Sequence, residues 1–275
     1  MASPAIVVTR AANPPLSWEM RDLLQHRDLL LLLVRKDLRV KYKGTALGFL
    51  WSLLNPLLMM LVYAVVYSLL FRFQVPRYPI FLLAGLLPWN AFLASVSGSA
   101  MAIVLNGQLI RRVRFPLELL PLTTVLAALV NLVFSLAILF IFAGIYRQPL
   151  GLPLLALPLL LVLQGLLALG IALMVSAITV YFRDLEYLIG VGLTALFFAT
   201  PIIYPLSALG KHHNIQFWLR LNPLTWLAQS YQSIWHENRW PDGGQLLELA
   251  VLGIVWTALG WLLFRRLRRR FAEEV

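Results

Sequence analysis

The chain has 275 residues, 60% of them hydrophobic and 13% charged, where a soluble domain has about 45–50% apolar and about 25% charged residues. That balance excludes an ordinary soluble domain and points to a polytopic membrane protein. The formal charge of +11 would suit a nucleic-acid binder, but the basic residues collect at the ends of apolar runs, as topology signals do, so no nucleic-acid partner is expected.

Cysteine is absent, which excludes disulfides, thiolate nucleophiles and Cys-based metal sites. The first residues lack the basic, apolar and cleavage regions of a signal peptide, so no removable one is expected.

Residues 1–46 read as a cytoplasmic arm that ends in an amphipathic interfacial helix, about Arg21–Lys43. The apolar run Leu29–Val34 is too short to cross a membrane. Arg35, Lys36, Arg39, Lys41 and Lys43 follow it, against one acid, Asp37. Such cations enter hydrocarbon only at high cost. They fit among anionic headgroups, each contributing roughly 1 kcal/mol near the surface. The helix is therefore expected to lie on the membrane, with Ser17 as a candidate N-cap. The bland alternative is a solvated basic arm.

Residues 47–264 read as an all-α domain of six transmembrane helices, about Leu47–Phe71, Pro79–Leu105, Leu119–Ile145, Pro153–Val180, Tyr187–Tyr204 and Leu246–Phe264. Each approaches or exceeds the ~20 residues a spanning helix needs, and only helices satisfy the backbone within such runs. With the N-terminus inside, 17 of the 23 Lys and Arg fall on the cytoplasmic side, which favours both termini in the cytoplasm. Residues 265–275 form a basic cytoplasmic tail, whose RRLRRR run reads as a topology anchor.

Two connecting segments stand out. In Asn106–Glu118, Leu109, Ile110 and Val113 fall at helical spacing opposite Arg111, Arg112 and Arg114. A short amphipathic helix ended by Pro116 is expected. In Pro205–Gln245, Asn222-Pro223 has the form of an N-cap followed by a first-turn proline. Leu224, Leu227, Tyr231 and Ile234 then make one apolar stripe. Trp218, Trp226, Trp235 and Trp240 suggest short helices dipping into the outer leaflet.

Little chemistry is present. The apolar spans carry almost no ionisable residue, which disfavours an ion-driven carrier. No phosphate-cradling GxxxxGK[ST] loop occurs: Gly210-Lys211 is followed by His212, and Pro205 stands where the first glycine belongs. Asp242-Gly243-Gly244-Gln245 superficially matches an ABC ATPase signature loop but lies on the expected outer side. His212-His213 has no third ligand at a metal-site spacing, so no metal and no catalytic residue is expected.

Five stretches carry a family resemblance: KYKGTALGFLWSLLNP (Lys41–Pro56), RRVRFP (Arg111–Pro116), YFRDLEYL (Tyr181–Leu188), ATPIIYP (Ala199–Pro205) and LNPLTW (Leu221–Trp226). Their order and spacing resemble the transmembrane subunits of ABC-2-type polysaccharide exporters, a family that includes O-antigen and teichoic-acid permeases and, more distantly, capsular-polysaccharide permeases. The resemblance implies a half-transporter in the bacterial inner membrane. It would act as two copies with two copies of a separate cytoplasmic ABC ATPase, which would hold the ATP and Mg2+ while this chain binds no cofactor. The substrate would be a lipid-linked polysaccharide, O-antigen first.

The resemblance places ATPase contact at the interfacial helix and at Leu109, Ile110, Arg111, Arg112, Arg114, Phe115 and Pro116. For the arginines, positive-inside anchoring is the plainer role, and the two roles can coexist. Arg35, Lys36, Arg39, Lys41 and Lys43 are candidates to meet a lipid phosphate. In the family, spans one and five border the channel. Tyr63, Tyr67 and Phe71 share one face of the first and Phe197, Phe198 and Tyr204 crowd the fifth, so these six are candidate lining residues; ordinary helix packing is the competing account. Pro56, Pro201 and Pro205 are candidate kinks. Alternatives are an ABC-2 exporter of drugs or small amphiphiles, a non-transporting subunit of a glycan synthase complex, and an ion-driven carrier.

Overall fold

The computed structural model describes residues 25–45, 47–70, 75–113, 115–209, 217–219, 221–268 and 271. Among these there is no strand; the elements are helices joined by short turns. They are α1 (Arg27–Tyr42), α2 (Trp51–Leu70), α3 (Tyr78–Ala100), α4 (Ala102–Leu105), α5 (Gly107–Arg112), α6 (Leu119–Ile145), α7 (Leu157–Thr179), α8 (Leu185–Phe198), α9 (Pro223–Gln232) and α10 (Gly243–Leu267). Ser17, Phe71, Arg114, Lys211, His212 and His213 lie outside the described residues.

Four helices are long and apolar enough to cross a membrane: Tyr78–Ala100, Leu119–Ile145, Leu152–Thr179 and Gly243–Leu267. α2 and α8 are shorter apolar helices. α3 is the hub. It packs against α2, α6, α7, α8 and α9, and Ile80, Leu82, Leu83 and Ala84 are fully buried in succession. An interior helix of this kind is apolar all round, so it has no stripe for a sequence pattern to reveal.

Glycine sets the tightest contact, between α7 and α10. Gly253, Thr257 and Gly260 share one face of α10 at spacings of four and three. The Thr257 hydroxyl donates to the Leu166 carbonyl at 2.7 Å. Small residues let backbones approach closely where no water drives helices together.

Two span boundaries differ most from expectation. The second stops at Ala100; Ala102–Leu105 forms a separate turn whose Ile103 is buried in a different core, at the α1 end of the fold. The fifth stops at Phe198. Its 14 residues rise only about 21 Å, short of a ~30 Å hydrocarbon core. Residues 199–205 continue as irregular backbone, and side chains satisfy it. Asn222 Nδ2 donates to the Ala199 carbonyl at 3.5 Å and the Thr200 hydroxyl at 2.9 Å. Gln232 Nε2 donates to the Pro201 carbonyl at 3.2 Å, and the Tyr78 hydroxyl to the Ile203 carbonyl at 2.9 Å. Non-helical backbone at membrane depth is tolerated only where protein supplies such partners. Pro201 and Pro205 thus sit beyond the helix and do not kink it, whereas Pro56 lies inside α2.

Asn222 caps α9 as expected, accepting from the Leu224 amide at 3.0 Å. Leu224, Leu227, Tyr231 and Ile234 are all buried. Trp235 departs from the expected interfacial set. It is fully buried, edge-on to Phe140 at 4.8 Å, because the stripe packs on α3 and not on lipid. Asp242 is the N-cap of α10, accepting from the Gln245 amide at 3.0 Å, which gives the Asp-Gly-Gly-Gln run a structural job.

Candidate functional site

α1 has two faces. Leu33 and Val34 are buried and the helix lies along α6. Its opposite face gathers Arg35, Lys36 and Arg39 with Asp28, Leu31 and Leu32 around an open groove of about 570 Å³. Leu31 and Leu32 are more than half exposed, so this face offers apolar surface and cations together. Asp37 turns inward beside Thr123 and Thr124. Burial pushes its carboxyl above the usual carboxylate range, against the pull of Lys36. Gly44, with φ of 78°, provides the left-handed turn that leads the chain from α1 toward α2. Lys43 is exposed at this turn; Lys41 lies in the last turn of α1.

The two segments picked out on the cytoplasmic side in the sequence meet here. Leu29 and Leu33 of α1 share one apolar core with Ile103, Leu109, Ile110, Phe115 and Leu120. Lys36 Nζ donates to Asn106 Oδ1 at 3.5 Å, and Asn106 Nδ2 donates to the Ala102 carbonyl at 2.8 Å. Arg111 and Arg112 stand exposed in the last turn of α5. The helix is shorter than expected. It ends at Arg112, four residues before Pro116, and Val113 leaves it in extended conformation, 48% exposed. Val113 therefore does not join the buried stripe. Pro116 is half-buried in the turn that leads to α6.

The basic tail adds a third partner to the same core. Phe271 is fully buried against Phe264 and Tyr181, with ring centroids 5.4 and 6.1 Å away. Arg268 forms an ion pair with the buried carboxylate of Glu118.

The aromatic candidates divide. Tyr67 is buried and stacked on Tyr78, centroids 3.8 Å apart. Phe197 is buried between Tyr63 and Trp89, at 5.7 and 5.5 Å. Phe198 is 58% exposed. Tyr204 is half-buried, and its hydroxyl donates to the Phe198 carbonyl at 3.0 Å. The first and fifth apolar segments do meet, through Tyr63 and Phe197.

The ABC-2 type transporter family matches residues 28–235. The chain belongs to this family. It is 38% identical to an O-antigen export system permease protein, RfbA, of Myxococcus xanthus, over 93% of this chain and 98% of that one. It is 31% identical to an RfbA of Klebsiella pneumoniae over 90% and 94%. A polysialic acid transport protein of Escherichia coli, KpsM, is 26% identical over 84% and 90%.

In this ABC-2 protein, sequence reasoning missed Arg268, Phe271, Tyr181 and Trp89. The tail arginines read as a charge run, and nothing in a run distinguishes the one that pairs. Glu118 was the available signal, as one of two acids at the edges of the apolar spans.

Proposed function

We propose that this ABC-2 chain is the membrane-spanning half of an ATP-driven exporter that moves lipid-linked O-antigen polysaccharide out of the bacterial cytoplasm. Similarity over nearly the whole length of two permeases named for O-antigen export carries this reading. The lower identity to the polysialic acid transporter favours the O-antigen branch over the capsular one.

In this reading two copies assemble with two copies of a cytoplasmic ABC ATPase, which binds ATP and Mg2+. The chain crosses the inner membrane six times. α2 and α8 complete the set of four longer helices, α8 with the help of residues 199–205. Both termini are cytoplasmic. The face that carries Arg111 and Arg112 meets the ATPase, with Leu109, Ile110, Phe115 and Pro116 anchoring it from behind. The shared core with α1 supports this, because movement of α5 would be passed directly to the interfacial helix. Arg35 and Arg39, beside exposed Leu31 and Leu32, suit a ligand that is anionic at one end and aliphatic at the other, such as the pyrophosphate and lipid of the carrier. Phe198, Tyr204 and Tyr63 are the better placed aromatics for a sugar path, with Tyr67 and Phe197 as packing behind them.

The deciding experiment is co-purification in detergent with the ABC ATPase encoded beside it, followed by ATP hydrolysis by the reconstituted pair. A complex whose hydrolysis falls when Arg111 and Arg112 become glutamate supports the reading. No complex with any neighbouring ATPase overturns it.

A further inference from the structure

A tail that only marks topology needs positive charge on the correct side and no fixed geometry. The last residue of α10 and two described residues beyond it, Arg268 and Phe271, are held at three points. The Tyr181 hydroxyl donates to the Leu267 carbonyl at 2.9 Å. Arg268, with its side chain 21% exposed, pairs with Glu118, whose side chain is 4% exposed. Phe271 is fully buried and edge-on to Phe264. Burying a carboxylate is costly unless a partner compensates it, and guanidinium is the cation best suited to that task.

What these contacts hold is the coupling segment. Glu118 stands two residues beyond Pro116, where the chain from α5 enters α6. The Leu119 amide bonds back to the Pro116 carbonyl at 3.1 Å and the Leu122 amide to the Glu118 carbonyl at 3.2 Å. Phe271 shares its core with Leu109, Ile110, Phe115 and Leu117. The other end of the tether is rigid, because α10 is locked to α7 by glycine contacts and the Thr257 bond. We infer that Arg268 and Phe271 are positioning residues of a strap beyond α10, fixing Glu118 and the core of Leu109, Ile110, Phe115 and Leu117 to the α7–α10 pair so that a push from the ATPase reaches the membrane helices. This inference rests on the proposed ATPase-coupled function.

Two readouts test it on the full chain. Hydrogen–deuterium exchange is followed at residues 107–117, and permease-stimulated ATP hydrolysis is measured with the co-expressed ATPase. Arg268→Gln and Phe271→Ala should each raise exchange at 107–117 and cut stimulation about fivefold or more, the size of a typical coupling loss. Complex formation should be retained. Arg268→Lys and Phe271→Leu should recover most of both. Exchange that rises only at 265–271, or stimulation that stays at the wild-type level, overturns the strap. If Arg268→Gln does not accumulate, Phe271→Ala decides alone. A wild-type chain that forms no complex overturns the exporter reading instead, and the exchange data still judge the tether.

Discussion

A methyl group on Gly260 would lie 2.2 Å from the carbonyl oxygen of Gly170. In the other direction, one on Gly170 would lie 2.4 Å from the Trp256 carbonyl carbon. Both obstacles are backbone, which cannot rotate away. Gly260→Ala or Gly170→Ala must therefore separate α7 from α10, at a cost of about 1–3 kcal/mol or more for overpacking. Gly144→Ala is the control, since its methyl would meet nothing within 4 Å. It should be neutral or stabilise by about 0.5–1 kcal/mol. Thermal unfolding in detergent separates them, and equal midpoints for Gly260→Ala and Gly144→Ala would disprove the close contact.

A second prediction concerns the polar link between α3, α7 and α9. Gln164 Nε2 donates to the Pro88 carbonyl at 2.9 Å, and its Oε1 accepts from the Tyr231 hydroxyl at 3.1 Å. Both side chains are buried. Tyr231→Phe leaves the amide oxygen short of a donor and should cost about 1 kcal/mol, within the range seen for buried hydrogen bonds. Gln164→Leu strands the Tyr231 hydroxyl and should cost a similar amount. The double variant should cost less than the sum, because neither partner is then left alone. Strict additivity in a double-mutant cycle would show that the two groups do not interact.

The division between what the sequence disclosed and what it concealed follows from the range of each signal. The α9 cap and stripe depend on Asn222, Pro223 and residues within twelve positions, and they stand as read. The α1 and α5 segments were legible because each carries its own amphipathic pattern; that they share a core was not, since Leu33 and Leu109 belong to different elements. The end of α8 was hidden because Ala199–Tyr204 is as apolar as a helix. Pro201, read as a kink, breaks it locally, while the partners that satisfy the irregular backbone, Tyr78, Asn222 and Gln232, lie far away in sequence. Glu118 and Arg268 are 150 residues apart, and no local pattern reports such a pair. The buried places of Tyr67 and Phe197 were hidden for the same reason: an aromatic side chain reads alike whether it lines a path or packs behind one.

A third prediction is pH dependence at the end of α3 opposite α5. Arg77 Nη1 donates to Gln148 Oε1 at 2.7 Å, and Gln148 Nε2 donates to the His236 carbonyl at 2.7 Å. The His236 ring meets Phe81 edge-on at 5.6 Å. Burial lowers its pKa below the usual 6.5; Glu237 opposes this and Arg77 adds to it. The unfolded chain therefore takes up its proton at higher pH than the folded one. Stability from this group is fully present above about pH 6.5 and is lost as pH falls through the folded value. The unfolding midpoint of the wild type should fall between pH 7 and pH 5, and His236→Asn should flatten that slope. An identical slope in the variant would assign the acid sensitivity to other groups.

The last prediction separates two roles proposed for α1. Lys36 is tied to Asn106, so reversing its charge disturbs the approach to α5 as well as the surface of α1. Arg35 and Arg39 are exposed and line the outer groove with Leu31 and Leu32. They are therefore the clean probes of lipid phosphate recognition. Arg35→Glu with Arg39→Glu places two anions where a pyrophosphate would approach, and each exposed charge contributes roughly 1 kcal/mol at an anionic surface. Export of lipid-linked glycan from reconstituted vesicles should fall by about tenfold or more, whereas binding to the ATPase and basal hydrolysis should stay within about twofold. Raising the salt concentration should weaken wild-type export and raise that of the variant, because it screens attraction in the first and repulsion in the second. Wild-type rates of export in the double variant would remove the phosphate role from this face and leave α1 as a mechanical link to α5.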